Sequence, residues 1–336
     1  MSTASGTAAS GAVPVRVSVV IPAYNACSTL RACLLSLIHQ HQGQEEDQGR
    51  AQERSPAVGG TGAAPPFTYE VIVVDDGSSD GTGDMVAAFP DRLDLRYTFL
   101  PRTARSGRAR ARNAGLALAT GGLVVTLDAD QVVAPGFLAE HVRLHAADPA
   151  LLVVGRRLQL DEGRFDQEAL ACGFRPEALP PVVRGDERER LFRLLERPLT
   201  EMATCWHHAW TCNASAGRDR LATVGGFDEK FSGWGLEDAE LAYRLVQDGV
   251  RMRYTTAAVV YHEHRQPVTA AMYREWCRNL AHFVRRHPDP VVRLQERFAP
   301  AIDPDRSAPG TWEEIAAGFE HAARALGSHP RSPSVS

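Results

Sequence analysis

Runs of β-branched and other apolar residues alternate along the first half of the chain with segments of helical periodicity. The first run, residues 15–21, consists mainly of β-branched apolar residues and ends at Pro22, which is typical of a strand buried on both faces of a sheet. After it, Ser28 is a candidate helix cap, and apolar residues recur at helical spacing between Leu30 and Ile38. The pattern therefore predicts a buried strand followed directly by an amphipathic helix.

Similar patterns predict the remaining elements. Further strands are predicted at residues 69–74, 93–100, 123–127, 151–155, 211–216 and 252–261. Further helices are predicted from about residue 80 and at residues 108–119, 236–247, 272–284 and 312–326, and the charged segment 156–204 is predicted to be helix or loop. Strands that alternate with helices are typical of a parallel sheet covered on both faces. We therefore predict an α/β fold with a doubly wound, mostly parallel sheet.

Three segments lack the apolar residues that a packed core requires. Residues 42–66 are rich in Gln, Glu, Gly, Ala and Pro, and predict a disordered surface insertion. Residues 1–14 are small and polar, and residues 328–336 are polar, so we expect a disordered N-terminus and a disordered tail.

Composition excludes several classes of protein. Hydrophobic residues make up 44% of the 336 positions and charged residues 23%, as in ordinary globular enzymes. A formal net charge of −4 provides no positive field that would attract nucleic acid. The six cysteines form no CxxC pair, which favours reduced thiols, and no apolar stretch reaches the ~18 residues of a membrane span. We expect a cytoplasmic protein without a signal peptide, transmembrane segment or nucleic-acid partner, and the oligomeric state stays open.

Acidic residues follow two of the predicted strands. Asp75 and Asp76 come after the strand at 69–74, and Asp128 and Asp130 come after the strand at 123–127. Ligands of open α/β sheets bind outside the carboxyl ends of the strands. On an extended chain, Asp128 and Asp130 point the same way, and two carboxylates this close would raise each other's pKa unless a cation lay between them. A hard divalent ion that also binds diphosphate oxygens fits this pattern.

Several motifs occur in an order that resembles the family-2 glycosyltransferases. The motifs are VVIPAYN at 19–25, VVDDGSSDGT at 73–82, GRARARNAG at 107–115, LDAD at 127–130 and GWGLEDAEL at 233–241, followed by a histidine in YHEH at 261–264. The fifth motif also resembles that of the related galactosyltransferases. The resemblance to the donor-binding half covers roughly residues 15–135, and the insertion at 42–66 is its one departure.

The resemblance implies a GT-A fold with a Rossmann-like nucleotide-binding half, a UDP-sugar donor and a Mn²⁺ or Mg²⁺ cofactor. On this basis residues 15–150 form the nucleotide-sugar-binding half, residues 151–265 the acceptor-binding and catalytic half, and residues 266–327 the C-terminal helices. The residues implied at the donor site are Pro22, Tyr24 and Asn25 near the nucleoside, Asp76 or Asp75 on the base, Arg108, Arg112 and Asn113 beside the ribose and diphosphate, and Trp234. Asp130 is the implied main metal ligand, Asp128 lies near the ribose or the metal, and His262 or His264 completes the site.

The resemblance also implies roles for two acids in the first turn of the helix at 236–247. Asp238 is the expected general base that accepts a proton from the acceptor, and Glu237 the expected contact to the acceptor or the donor sugar. A helix N-terminus stabilises a carboxylate, so we expect both acids to be ionised. The alternative is that they only cap the helix. As in the family, a single displacement would invert the anomeric configuration.

The acceptor is not identified by the sequence, and a saccharide, a small natural product and a peptide all stay open. Trp206 and Trp210 could form an aromatic platform for an acceptor or could pack in the core. Two other functions compete with glycosyl transfer: a nucleotidyltransferase, and a non-catalytic protein that binds nucleotide sugars. A nucleotidyltransferase usually has a Gly-rich phosphate loop near its N-terminus, which this chain lacks.

Overall fold

The computed structural model describes residues 15–40, 64–263 and 267–327. The predictions of disorder for residues 1–14 and 328–336, and for most of the insertion at 42–66, therefore lie outside the described residues, as does His264. No helix within the described ranges is both long and apolar enough to cross a bilayer.

The described residues form one mixed sheet of nine strands. The strands are β1 (Val15–Ala23), β2 (Phe67–Asp75), β3 (Leu95–Phe99), β4 (Leu123–Leu127), β5 (Gln131–Val133), β6 (Leu151–Leu160), β7 (Val182–Arg184), β8 (Asn213–Gly217) and β9 (Arg251–His262). Their order is β3-β2-β1-β4-β8-β6-β9-β5, and β7 pairs with β6. β1, β2, β3, β4, β6 and β9 run in one direction, while β5, β7 and β8 run in the other. The structure thus confirms a mostly parallel α/β sheet.

Twelve α-helices lie within the described ranges. They are α1 (Cys27–Ile38), α2 (Thr82–Ala87), α3 (Arg108–Leu118), α4 (Phe137–Ala147), α5 (Gln167–Cys172), α6 (Glu187–Leu194), α7 (Arg218–Thr223), α8 (Glu237–Gln247), α9 (Ala270–Arg286), α10 (Pro290–Arg293), α11 (Ala299–Ile302) and α12 (Trp312–Ala325). The predicted cap at Ser28 is wrong, because α1 begins one residue earlier and its N-cap, Ala26, makes no side-chain cap hydrogen bond.

Both faces of the sheet are buried, which explains why β1 is apolar at successive positions. Val20 belongs to a hydrophobic cluster with α3, α8, α9 and α12 on one face. Val19 and Ile21 belong to a second cluster with α1 and α4 on the other face. Successive side chains of a strand point to opposite faces, so a strand between two helical layers is mostly apolar, and the buried Ser18 of β1 is accommodated by donating to Glu70 Oε1 at 2.7 Å.

Two elements directly after Asp130 were not predicted. β5 is only three residues long and pairs with β9, so that Gln131 lies opposite His262. α4 follows, with Phe137, Leu138 and Val142 buried against the sheet. Its apolar residues do recur at helical spacing, whereas a three-residue strand has too few residues to show any period. The pairing of β5 with β9 brings Asp130 and His262 together.

Candidate active site

The loops after β1 and β2 are joined at the carboxyl edge of the sheet. The backbone N–H of Asn25 donates to Ser78 Oγ at 2.8 Å, and Asn25 Oδ1 accepts from the N–H of Ser79 at 2.9 Å. Asn25 adopts a left-handed conformation with φ of 48°, which asparagine tolerates better than most residues. Asn25 therefore fixes the shape of this edge through its own hydrogen bonds. Its neighbour Tyr24 is half exposed, and the Arg102 guanidinium lies 4.0 Å from the centroid of the Tyr24 ring.

The two acids after β2 have different surroundings. Asp75 is buried, and its carboxylate accepts from the Ser78 N–H and the Tyr97 hydroxyl, both at 2.7 Å. Asp76 instead pairs with Arg102 at 3.0 Å and Arg110 at 3.3 Å. Both acids are thus buried with both oxygens engaged, and Asp76 is in addition linked through Arg102 to the exposed ring of Tyr24.

Arg112 connects the two acidic motifs. Its side chain is 2% exposed, and its two terminal nitrogens donate to Asp128 Oδ1 at 2.9 Å and to Glu237 Oε1 at 3.1 Å. Both terminal nitrogens of Arg112 are therefore occupied by protein carboxylates inside the molecule, and its expected place beside the diphosphate stays a prediction. A buried guanidinium suits this bridge, since its planar fork can bind two carboxylates at once.

Asn113 and Arg108, on the same helix as Arg112, have different surroundings. The Asn113 amide exchanges two hydrogen bonds with the backbone of Phe227, at 2.8 and 2.9 Å, so Asn113 holds that turn, and its expected place beside the ribose stays a prediction. Arg108 is exposed at the first turn of α3. Although burial opposes ionisation of Asp128, the charges of Arg112 and Arg108 hold the pKa of Asp128 below its usual range. Arg108 is therefore an exposed cation whose charge acts on Asp128.

Asp130 and His262 face each other across the β5–β9 pair. Asp130 Oδ2 lies 3.5 Å from His262 Nε2, and Asp130 Oδ1 is buried without a hydrogen-bond partner. His262 Nδ1 lies 2.7 Å from the backbone oxygen of Glu263. A carbonyl only accepts, so Nδ1 carries a proton, and Nε2 is the ring nitrogen that faces Asp130. The described residues include no set of three His, Cys, Asp or Glu side chains arranged around one metal position.

Glu237 and Asp238 open α8 after a strained turn. Leu236 precedes them with φ of 75°, a left-handed conformation that is unfavourable for leucine. Burial, and then the negative charge of Glu237, raises the pKa of Asp238 to about 7 against the opposing effect of Arg112. The expectation that the helix N-terminus keeps Asp238 fully ionised is thus corrected, because loss of solvent outweighs the helix dipole.

The remaining candidates are part of the fold. Pro22 lies in β1 opposite Val74, and Trp234 is half buried against the cluster that contains α8 and α9. Trp206 is 2% exposed and packs edge-on against Tyr243, Phe283 and Phe319 in the core. The Trp210 ring lies 4.2 Å from the Arg157 guanidinium and 4.3 Å from that of Arg188. Trp206 therefore cannot serve as an acceptor platform, and Trp210 already has cationic partners.

Comparison with known proteins matches two parts of the chain to profiles of glycosyltransferases. The profile of glycosyl transferase family 2 matches residues 18–176, and a profile described as the N-terminal domain of galactosyltransferase matches residues 198–265. The chain is 33% identical over 291 residues to validoxylamine A glucosyltransferase of Streptomyces hygroscopicus subsp. jinggangensis, which covers 83% of this chain and 62% of that protein. The chain spans less than two thirds of the length of the curated relatives it matches.

Solved glycosyltransferases share the fold at low sequence identity. Residues 1–349 of S. aureus TarS in complex with UDP-GlcNAc superpose with a TM-score of 0.51 and 15% identity, covering 85% of this chain and 71% of that one. GalNAc-T7 with UDP, GalNAc and Mn²⁺ superposes with a TM-score of 0.52 and 17% identity, covering 93% and 55%. With the GT-A fold of the described residues and the match to the family profile, residues 18–176 are a glycosyltransferase family 2 domain.

Proposed function

We propose that this chain transfers a sugar from a UDP-sugar to an acceptor nucleophile with inversion at the anomeric carbon, using Mn²⁺ or Mg²⁺. The observation that carries the proposal is the connection between two acidic groups at one edge of the sheet. Asp130 and His262 lie within 3.5 Å of each other, and the adjacent Asp128 is joined through Arg112 to the Glu237–Asp238 pair. The buried Arg112 would thus connect the proposed donor site with the proposed proton acceptor.

The donor would lie across the loops that follow β1, β2 and the start of α3. Tyr24 and Arg102 offer an exposed aromatic ring and cation for the nucleoside, with Asp76 beside them to accept from the base. Arg108 would bind the diphosphate, since its guanidinium is exposed next to Asp128. The choice of uridine is supported by the UDP-containing complexes of the two superposed glycosyltransferases.

The residues present fit a divalent metal. Asp130 supplies a carboxylate oxygen without a partner, and His262 supplies Nε2 with its proton fixed on Nδ1. Two protein ligands are enough for an ion that is also bound by substrate phosphates and water. When bound, the metal would neutralise the departing nucleoside diphosphate. Asp128, held by its ion pair with Arg112, would lie beside the metal.

Proton transfer is assigned to Asp238. The acceptor oxygen forms a bond to the anomeric carbon as the bond from that carbon to the diphosphate oxygen breaks, and the acceptor proton passes to the Asp238 carboxylate. A pKa near 7 suits this task, because a general base works best when its pKa is close to the operating pH. Glu237, held by Arg112, would contact the acceptor or the donor sugar. Residues up to about 150 would bind the donor, and those from β6 onward the acceptor.

Removal of either proposed metal ligand should abolish metal-dependent binding of UDP. In a thermal-shift assay with UDP at about 100 times Kd, we expect Mn²⁺ to be required for native-state stabilisation of about 2.7 kcal/mol. Asp130→Ala and His262→Ala should lose the Mn²⁺-dependent part. Asp91→Ala, at an exposed acid far from the edge, should keep it. An unchanged Mn²⁺-dependent shift in both site variants would contradict the assignment.

The rate should depend on the ionisation of Asp238. Below pH 7 the carboxylate is increasingly protonated and cannot accept a proton, so kcat/KM should fall about tenfold per pH unit towards lower pH. Above pH 7 the profile should be level. The measurement is UDP release from the nucleotide sugar that gives the largest thermal shift, with the melting temperature recorded at each pH. A level profile between pH 5.5 and 8.5 would show that a different group accepts the proton.

A further inference from the structure

Helix α9 carries a stripe of polar side chains that contacts the chain around the proposed general base. Glu275, Asn279, His282 and Arg286 follow one another at intervals of four, three and four residues, which places them on one face of the helix. His282 Nε2 lies 2.9 Å from Asp228 Oδ2, and Arg286 Nε donates to Glu240 Oε1 at 3.0 Å. The stripe therefore binds both ends of the segment that includes Asp238.

The middle of the stripe holds the turn immediately before Asp238. Asn279 is 3% exposed, and its Nδ2 donates to the carbonyl oxygens of Gly235 at 2.8 Å, Ser232 at 3.2 Å and Trp234 at 3.3 Å. Its Oδ1 accepts from the N–H of Ser232 at 3.3 Å. One residue away along the turn, the N–H of Trp234 donates to Glu275 Oε2 at 2.9 Å. These two side chains bind the backbone of the turn rather than its side chains.

This turn adopts a conformation that it would not hold alone. Gly233, Gly235 and Leu236 have φ values of 72°, 96° and 75°. A left-handed leucine costs about 1–2 kcal/mol and persists only where the surrounding contacts enforce it. The turn also lies directly on α9, because a Cβ on Gly233 would meet Glu275 Cδ at 2.3 Å. The contacts from α9 thus enforce the strained backbone that sets where α8 begins.

We propose that Glu275 and Asn279 are positioning residues for the general base. They hold the backbone from Ser232 to Leu236, and this backbone fixes the position and direction of the Asp238 carboxylate. The inference rests on the proposed role of Asp238. A displacement of about 1 Å at a reacting group costs about 100-fold in rate. Binding of the donor, which we place beside Asp128, should not depend on this turn.

The test compares one variant of Asn279 and two variants of Glu275 in UDP release from the donor and in UDP binding with Mn²⁺. Asn279→Leu keeps the approximate size of the side chain but removes all four hydrogen bonds, so we expect kcat to fall about 100-fold while the Kd for UDP with Mn²⁺ stays within about twofold. Glu275→Leu should also lower kcat, and Glu275→Gln should restore it, because the amide oxygen still accepts from Trp234. Arg278→Leu, on the exposed side of α9, is the matched control and should leave kcat unchanged.

Asp238→Asn is measured in parallel to separate the two proposals. If Asp238→Asn loses turnover while Asn279→Leu and Glu275→Leu keep kcat within about threefold of the native chain, the positioning proposal is overturned and the base assignment stands. If Asp238→Asn keeps turnover, both are overturned. A fall in UDP affinity that equals the fall in kcat would show a general loss of structure, and would also count against positioning. If kcat falls equally in Glu275→Gln and Glu275→Leu, the hydrogen bond to Trp234 is excluded as the cause of the fall.

Discussion

Asp238→Asn is expected to lower kcat by about 10²–10⁴ and to raise the melting temperature at pH 8. The rate falls because an amide cannot accept the acceptor proton. The stability rises because loss of solvent, and then the charge of Glu237, raise the pKa of the half-buried Asp238 carboxyl to about 7. A carboxyl group whose pKa is raised by folding stabilises the fold below its ordinary pKa, and this contribution is lost as the pH rises through 7. The variant should therefore melt about 2–4 °C above the native chain at pH 8.

Enzyme kinetics and thermal denaturation on the same samples test this prediction. At pH 3, below the ordinary aspartate pKa of 3.8, the difference in melting temperature should largely disappear, because Asp238 is then mostly protonated in the folded and unfolded states. Asp219→Asn is the control, since Asp219 is an exposed acid in the first turn of α7. If Asp238 merely capped α8, its Asn variant would keep turnover, because asparagine is also an effective cap.

Arg112→Met should have the largest effect on stability, lowering the free energy of unfolding by about 3–5 kcal/mol. Methionine fills similar space but leaves Asp128 and Glu237 without the charge that each faces inside the protein. Arg112→Lys should recover only part of this loss, because an ammonium group is a single point donor and cannot span both carboxylates. Chemical denaturation of the native and variant chains measures the difference.

A double-mutant cycle tests whether the bridge is the cause. Glu237→Gln should cost less stability in the Arg112→Met background than in the native chain. In that background Glu237 has already lost its ion-pair partner. Arg105→Met, at an exposed arginine in the loop before α3, should change the free energy of unfolding by less than about 0.5 kcal/mol. A loss below about 1 kcal/mol in Arg112→Met would mean that the two ion pairs contribute little to the fold.

The edge where Asp75, Asp76, Asp128 and Asp130 lie could be predicted from local pattern alone. Each pair follows a continuous apolar run, and the carboxyl ends of parallel strands meet at one edge, so no knowledge of distant contacts was needed. The direction of Arg112 could not be predicted in this way. It shares one helical face with Arg108 four residues earlier, and only the docking of α8, 125 residues away, buries one and leaves the other exposed.

The pKa of Asp238 shows the same limit of local reasoning. The place of Asp238 in the first turn of α8 predicts a lowered pKa. Its burial, which the sequence pattern does not reveal, and the charge of Glu237 raise the pKa instead. The polar stripe of α9 is visible in the sequence as a spacing of four, three and four residues. Its partner, the turn before Asp238, is joined to it only by tertiary packing.

The most direct test of the account is the product formed from nucleotide sugars. The native chain with Mn²⁺ should release a nucleoside diphosphate from one class of nucleotide sugar, with UDP-sugars expected, and NMR should show a sugar product with the anomeric configuration inverted. Release of pyrophosphate from a nucleoside triphosphate would instead indicate a nucleotidyltransferase. Binding of UDP-sugars without release of UDP, with any acceptor class or with water, would indicate a non-catalytic protein and would contradict the role assigned to Asp238.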